Sequence, residues 1–141
     1  MGSPPRKAPR VISLHIDLAP VAKSSPRALV FGGRGRIYTS AKTKNYMAAV
    51  QRQVADALPE DWRPLSRALS VSVTFFIAPA RTVKRAFPTP RPDIDNYIKS
   101  LFDGLTKAEI WVDDSLVCDI VAKKRYGEPG ISIVIAEIES S

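Results

Sequence analysis

The chain holds a single cysteine, Cys118, and a single histidine, His15, among 141 residues. One cysteine excludes an intrachain disulfide framework and any cysteine-rich zinc site. With only one histidine beside it, zinc sites built on His and Cys are out of reach, and Ser-His-Asp chemistry would have to use His15. That histidine falls on the polar side of an alternating segment, which suits a surface or hydrogen-bonded role. No apolar run approaches the roughly 20 residues of a membrane helix, so no membrane is expected. The opening residues lack the apolar stretch of a signal peptide. With one reduced cysteine, an intracellular, cytoplasmic setting is expected. Glycine is sparse, at seven residues. The run Gly32-Gly33-Arg34-Gly35 lacks the Gly-Lys-Ser/Thr of a phosphate-binding loop, so no nucleotide cofactor is expected.

Positive charge is abundant. Lysine and arginine number 21 against 14 aspartates and glutamates, a formal balance of +7. Such an excess suits a polyanionic partner, nucleic acid above all. Proline is frequent and gathers in loops: Pro4, Pro5 and Pro9 near the start, and Pro79, Pro88, Pro90 and Pro92 in the middle. Residues 1–10, with Arg6, Lys7 and Arg10 among prolines, read as a disordered basic tail. Residues 11–141 are long enough, and at 45% apolar content rich enough, for one domain with its own core.

Alternation over residues 11–18 puts Ile12, Leu14, Ile16 and Leu18 on one side of a strand. Residues 27–31 and 36–38 flank the glycine run as a hairpin. Thr39 or Ser40 is placed to cap a helix over 42–58, whose Tyr46, Val50, Val54 and Leu58 recur at helical spacing. Residues 69–77 alternate as a strand. A second helix runs over 95–107, with Ile94, Ile98, Leu101, Phe102 and Leu105 in one stripe. Residues 117–126 and 131–138 read as strands joined through Gly127-Glu128-Pro129-Gly130. The expectation is an α+β domain: a mixed sheet of about five to six strands packed with two main helices. Cys118 is expected to pack in its strand as a small hydrophobe. Trp62 and Trp111 are expected to pack, with Trp111 placed to buttress the turn after it. Phe102 reads as core or dimer interface.

The acidic residues are not spread evenly. Asp93, Asp95, Asp103, Glu109, Asp113, Asp114 and Asp119 are half of the 14. A basic protein with a local carboxylate cluster matches the needs of metal-dependent phosphodiester chemistry, in which cations hold phosphates and oxygen ligands hold a hard metal ion. Asp93 and Asp95, at i and i+2, share a side if the chain there is extended. They also stand where a helix begins, so capping is the alternative. Lys99 lies one turn beyond Asp95, either as an i,i+4 ion-pair partner or as a cation beside the reacting phosphate. Asp113-Asp114 is either a polar turn or a third carboxylate for the helix-start pair, which requires the turn to fold back toward the helix N-terminus. Arg81, Lys84, Arg85 and Arg91 in the proline-broken loop, and Arg34 and Arg36 in the hairpin, are candidate phosphate contacts or plain surface charge.

The stretch Arg91-Pro92-Asp93-Ile94-Asp95-Asn96-Tyr97-Ile98-Lys99, then Phe102-Asp103-Gly104-Leu105-Thr106-Lys107, then Trp111-Val112-Asp113-Asp114-Ser115-Leu116-Val117, resembles the RusA family of Holliday-junction resolvases. That family carries D-x-D-N-x-x-K, a helix continuing F/L-D-A/G-L, and a D-D-x-x-V turn, at these spacings. Gly35-Arg36-Ile37-Tyr38-Thr39 and Thr43-Lys44-Asn45-Tyr46 resemble its G-R-x-Y-T…T-x-x-Y stretch. The resemblance implies that Asp93, Asp95 and Asp114 are catalytic carboxylates binding Mg²⁺ or Mn²⁺, with Asp113 a further ligand and Lys99 the basic partner. Asn96 would orient or cap. It implies a homodimer that cuts four-way junction DNA by paired symmetric nicks in recombination and repair, in a family common in phages and prophages. Pro92 departs from the pattern, because family members often have another basic residue there. The rivals from residues alone are a branched-DNA-binding protein without activity, and a metal nuclease acting on another DNA structure.

Overall fold

A computed structural model describes residues 8–23, 28–31, 34–37 and 41–139. The expected cap at Thr39 or Ser40 and the turn at Gly32-Gly33 lie outside these residues. The elements in chain order are β1 (Val11–Ile16), β2 (Ala28–Phe31), β3 (Arg34–Ile37), α1 (Ala41–Ala57), β4 (Leu69–Ile77), α2 (Ile94–Lys107), a 3₁₀ turn (Asp114–Leu116), β5 (Val117–Tyr126) and β6 (Gly130–Glu137). Both helices and the strands β1, β4, β5 and β6 lie within a few residues of the spans read from the sequence pattern, whereas the 3₁₀ turn has no periodic signal.

Six strands are present among the described residues, but they do not form one sheet. Four make a mixed sheet in the order β1-β6-β4-β5, and β2 pairs only with β3. The expectation of five to six strands in a single mixed sheet is corrected to four plus a separate hairpin. β2 and β3 pair in antiparallel register from Ala28–Ile37 to Phe31–Arg34, and among the described residues neither is hydrogen-bonded into the larger sheet.

β4 is central. It runs parallel to β5, from Leu69 opposite Val117 to Ile77 opposite Tyr126, and antiparallel to β6. A parallel pair needs a long crossover, and α2 supplies it. β5 and β6 follow one another in sequence, yet β4 lies between them. Residues 127–129 therefore pass over the end of β4, where the Gly127 N–H donates to the Ile77 carbonyl at 3.0 Å. A β-carbon at Gly127 would stand 3.1 Å from the Phe76 ring, so the close crossing suits glycine.

Both helices cover one sheet face. Val71, Val73 and Phe75 of β4 and Ile131, Ile133 and Ile135 of β6 are buried under Val50 and Val54 of α1 and Leu101 and Leu105 of α2. Burying each such side chain contributes about 1.5–3 kcal/mol. Phe75 stacks on Tyr97 with ring centroids 5.3 Å apart, and Phe102 meets Trp111 edge-on at 5.1 Å. Phe102 is thus core, and Trp111, with Nε1 donating to Thr106 Oγ1 at 2.7 Å, packs directly ahead of the Asp113 turn.

Two smaller expectations are corrected. Cys118 lies in β5 but is exposed, because pairing passes from Leu69–Val117 to Ser70–Asp119 and leaves Cys118 as the extra residue of a bulge on an edge strand. Arg10, read as the end of the tail, is tied into the fold. Its N–H donates to Glu137 Oε1 at 2.8 Å, and its guanidinium lies 4.9 Å from the centroid of the Trp62 ring. His15 is exposed, and its Nδ1 shares a 3.0 Å hydrogen bond with Ser132 Oγ, as its polar-face position predicts. No helix among the described residues is long and apolar enough to cross a membrane.

Candidate active site

The loop after β4 enters α2 through Asp93, which occupies the N-cap position with φ −70° and ψ 150°. Its main-chain carbonyl accepts from the Asn96 N–H at 3.1 Å. Its carboxylate makes no capping hydrogen bond. An aspartate at this position ordinarily caps, so the local geometry leaves this carboxylate uncommitted. Asp95, in the first turn, is exposed, and the N-terminal end of the helix favours both negative charges. Lys99 is exposed one turn later and forms no ion pair with Asp95. The two local alternatives, a cap and an i,i+4 pair, are therefore not what these side chains do.

A cleft of about 500 Å³ opens beside Asp93. One wall is the segment Pro20–Lys23, and the others carry Lys42 and Thr43 of α1, Arg91, Asn96 and Tyr97. The segment is fastened to α2. The Lys23 N–H donates to the Asn96 carbonyl at 3.1 Å, Lys23 Nζ meets Asp103 Oδ2 at 2.7 Å, and Ser100 Oγ donates to the Val21 carbonyl. Lys23 and Lys42 thus line this cleft with Arg91, the Lys23 ammonium being held by Asp103 further along α2. Neither stood out in sequence, because nothing local to Lys23 announces that its loop lies along α2.

A second cleft, about 490 Å³, meets Asp93 from β5 and is lined by Phe87–Thr89, Ile94 and Ala122–Arg125. Here Lys124 Nζ donates to the carbonyls of Pro90 at 3.1 Å and Pro92 at 2.9 Å. The Arg125 guanidinium lies 5.0 Å from the centroid of the Phe87 ring, and Arg85 Nη1 donates to Tyr126 Oη at 3.3 Å. Arg81, Lys84, Arg85 and Arg91 are all exposed. Arg34 and Arg36 fall on β3, and their side chains lie outside the described structure.

Asp113 and Asp114 occupy the other end of the β4–β5 ladder. Asp114 opens the 3₁₀ turn just before Val117, which pairs with Leu69 at the start of β4. Lys124, which reaches the loop into Asp93, lies opposite Phe75 near the end of β4. Between them α2 has 14 residues, about 21 Å of helix. Both aspartates are exposed. The Ser115 hydroxyl and the Ser115 and Asp114 main-chain N–H groups face the Asp113 carboxylate and hold its pKa below the usual range, although none closes a capping bond. Within one chain the turn does not fold back to the helix start. Accordingly, no group of three His, Cys, Asp or Glu side chains among the described residues is placed to hold a metal ion. Asp93 and Asp95 nonetheless present two exposed oxygen-donor groups, and Mg²⁺ is characteristically held by one or two carboxylates together with substrate phosphates. Because α2 begins at Ile94, the extended chain that would have set Asp93 and Asp95 on one side ends at Asp93, and the expectation of a shared side is corrected. Each carboxylate is still an oxygen donor of the kind a hard cation takes.

Taken together, these features make a basic α+β domain that sets free carboxylates among cations at a helix N-terminus. The family model described as Endodeoxyribonuclease RusA matches residues 17–136, and the chain belongs to the RusA family. It is 32% identical over 127 residues to the crossover junction endodeoxyribonuclease rusA of Lactococcus phage r1t, covering 88% of this chain and 95% of that protein. It is 35% identical over 86 residues to the crossover junction endodeoxyribonuclease RusA of Escherichia coli K12, covering 61% of this chain and 62% of that one. An uncharacterized protein of Bacillus subtilis 168, YqaN, is 29% identical over 134 residues, covering 86% and 92%.

Proposed function

We propose that the protein is a divalent-metal-dependent endodeoxyribonuclease that resolves four-way DNA junctions as a homodimer, by paired symmetric nicks. The observation that carries this reading is the uncapped Asp93 carboxylate, next to Asp95, facing a cleft rimmed by Lys23, Lys42 and Arg91. The names of its family relatives support the substrate.

Asp93 and Asp95 would hold Mg²⁺ or Mn²⁺. When bound, such an ion lowers the pKa of a water, polarises the scissile phosphate and stabilises the leaving oxygen. Lys99 offsets charge that develops on the phosphate. Lys23, Lys42, Arg91 and the exposed Arg81, Lys84 and Arg85 hold the DNA backbone, which positions the strand without reading sequence. A junction must be cut on two strands, and a twofold dimer presents two equivalent sites. The distance between the ends of α2 gives the dimer a second role, in which Asp114, with Asp113 beside it, completes the carboxylate set of the other copy.

The test is cleavage of a synthetic four-way junction with Mg²⁺ or Mn²⁺, beside linear duplex and flap controls, with wild type and Asp95→Asn in parallel. Symmetric metal-dependent nicks by wild type alone are expected, with junction binding by Asp95→Asn retained or tighter. Binding without nicking under any divalent ion would instead mark a branched-DNA-binding protein, and flap or single-strand cutting a different nuclease.

A further inference from the structure

We infer that Lys124 is a positioning residue for Asp93: its ammonium group, bridging the carbonyls of Pro90 and Pro92, sets the direction in which the loop delivers the Asp93 carboxylate at the start of α2. The inference deepens the nuclease reading and rests on it.

The geometry is specific. Lys124 lies opposite Phe75 in the β4–β5 register, so the two side chains share the helix-covered face of the sheet. Phe75 stacks on Tyr97 in the first turns of α2. Lys124 is therefore beside the start of that helix, half-buried, where a long stem reaches loop backbone. Its Nζ takes two carbonyls, 3.1 Å and 2.9 Å away, the second belonging to the residue immediately before Asp93. Few main-chain hydrogen bonds hold this loop: the Thr89 N–H donates to the Phe87 carbonyl at 2.9 Å, and Val83 to Ala80 at 3.0 Å. Neither fixes residues 90–92. A charged donor shared between two carbonyls is stronger than a neutral bond, and Asp93 itself has no capping bond to orient its side chain. The Asp93 carbonyl takes the Asn96 and Tyr97 N–H groups of α2 at 3.1 and 3.4 Å, and on the other side Lys124 ties the residues just before it to the rigid sheet, so the direction of the carboxylate is set between these two anchors. A group that orients a metal-binding carboxylate in this way typically changes metal affinity or activity about 10–100-fold when removed.

Lys124→Met keeps the stem and removes the donors; Lys124→Arg keeps donors; Lys123→Met, one residue away on an exposed position, is the control. Amide hydrogen exchange of the metal-free proteins and Mn²⁺ binding by titration calorimetry are read together with junction affinity and nicking. The expected result for Lys124→Met is faster exchange at Thr89, Asn96 and Tyr97 with unchanged protection in β4 and β6. Mn²⁺ affinity falls about 10–100-fold, junction affinity stays within twofold, and Lys124→Arg recovers most of the loss. Exchange and Mn²⁺ affinity equal to those of Lys123→Met would overturn the assignment. So would a uniform loss of protection in both Lys124 variants, because that marks a general packing role. If wild type binds Mn²⁺ but nicks no junction, the nuclease reading fails while the exchange and Mn²⁺ arms still decide the role of Lys124.

Discussion

Gly104 of α2 lies against Val50 of α1 so closely that a β-carbon at 104 would stand 2.8 Å from Val50 Cγ1 and 3.0 Å from its Cβ. Val50 is fully buried and has no free direction in which to move. The contact sets how near the two helices approach over the sheet. Gly104→Ala gains helix propensity, worth up to about 1 kcal/mol, but forces the helices apart. Overpacking of this kind costs about 1–3 kcal/mol. A net loss of stability is expected, measured as a lower urea midpoint with unchanged slope. A midpoint equal to or above wild type would show that the helix pair can slide at no cost.

The end of α2 stores a removable strain. Glu109 has φ of 59° just past the helix, and the Ile110 N–H reaches back to the Leu105 carbonyl at 3.3 Å. A left-handed residue at this place is ordinarily glycine, and a side chain there costs about 1–2 kcal/mol. Glu109 is exposed and loses little by truncation. Glu109→Gly is therefore expected to raise stability by about 1 kcal/mol. Denaturant unfolding reads it directly, and a fall in the midpoint would mean that unfolded-chain entropy outweighs the strain.

Lys23 separates stability from DNA binding. Its ion pair with Asp103 is short, at 2.7 Å, but each side chain is 35% exposed. An exposed pair contributes about 0–1 kcal/mol. Lys23→Met should hardly change the unfolding midpoint. Lys23 also lines the cleft beside Asp93. A strand entering there draws the partly exposed ammonium from Asp103 to a phosphate, so in Lys23→Met junction affinity falls and the slope of log affinity against log salt drops by about 1. An unchanged salt slope would remove Lys23 from the DNA surface.

Mixing two inactive variants tests where Asp114 acts. If each carboxylate set draws Asp93 and Asp95 from one copy and Asp114 from the other, a mixed dimer of Asp95→Asn and Asp114→Asn contains one intact set and one doubly damaged set. Co-refolded variants should then regain nicking on a single strand of a junction, with each variant alone inactive. No recovery in a mixture shown to contain mixed dimers would remove Asp114 from the partner's carboxylate set.

Much of the fold is legible residue by residue. The alternation of Val71, Val73 and Phe75, and the stripe Leu101–Phe102–Leu105, give a strand and a helix whose observed spans match the periodic ones. Asp93, Asp95, Lys99 and Asp114 stand out in sequence only as candidates, through spacing that resembles the RusA pattern, and within the described residues no three acidic side chains come together to hold a metal ion. What stays hidden concerns partners distant in sequence. Lys124 sits 32 residues from Pro92 and Lys23 sits 80 from Asp103, and no local pattern joins either pair. Cys118 looked like a core residue because strand alternation is blind to a bulge.

Local pattern along the chain is enough for the type and extent of the elements, the excess of positive charge and the acidic stretch within it, because periodicity and composition act over a few neighbouring residues. It takes the folded chain to show that β4 stands between β5 and β6, that β2 and β3 pair apart, and that Asp93 and Asp114 are set at opposite ends of the α2 crossover between β4 and β5. Strand order is a choice among hydrogen-bonding partners far apart in the chain. It follows from which arrangement buries the apolar faces of β4, β6 and the two helices together while leaving no interior backbone group unpaired.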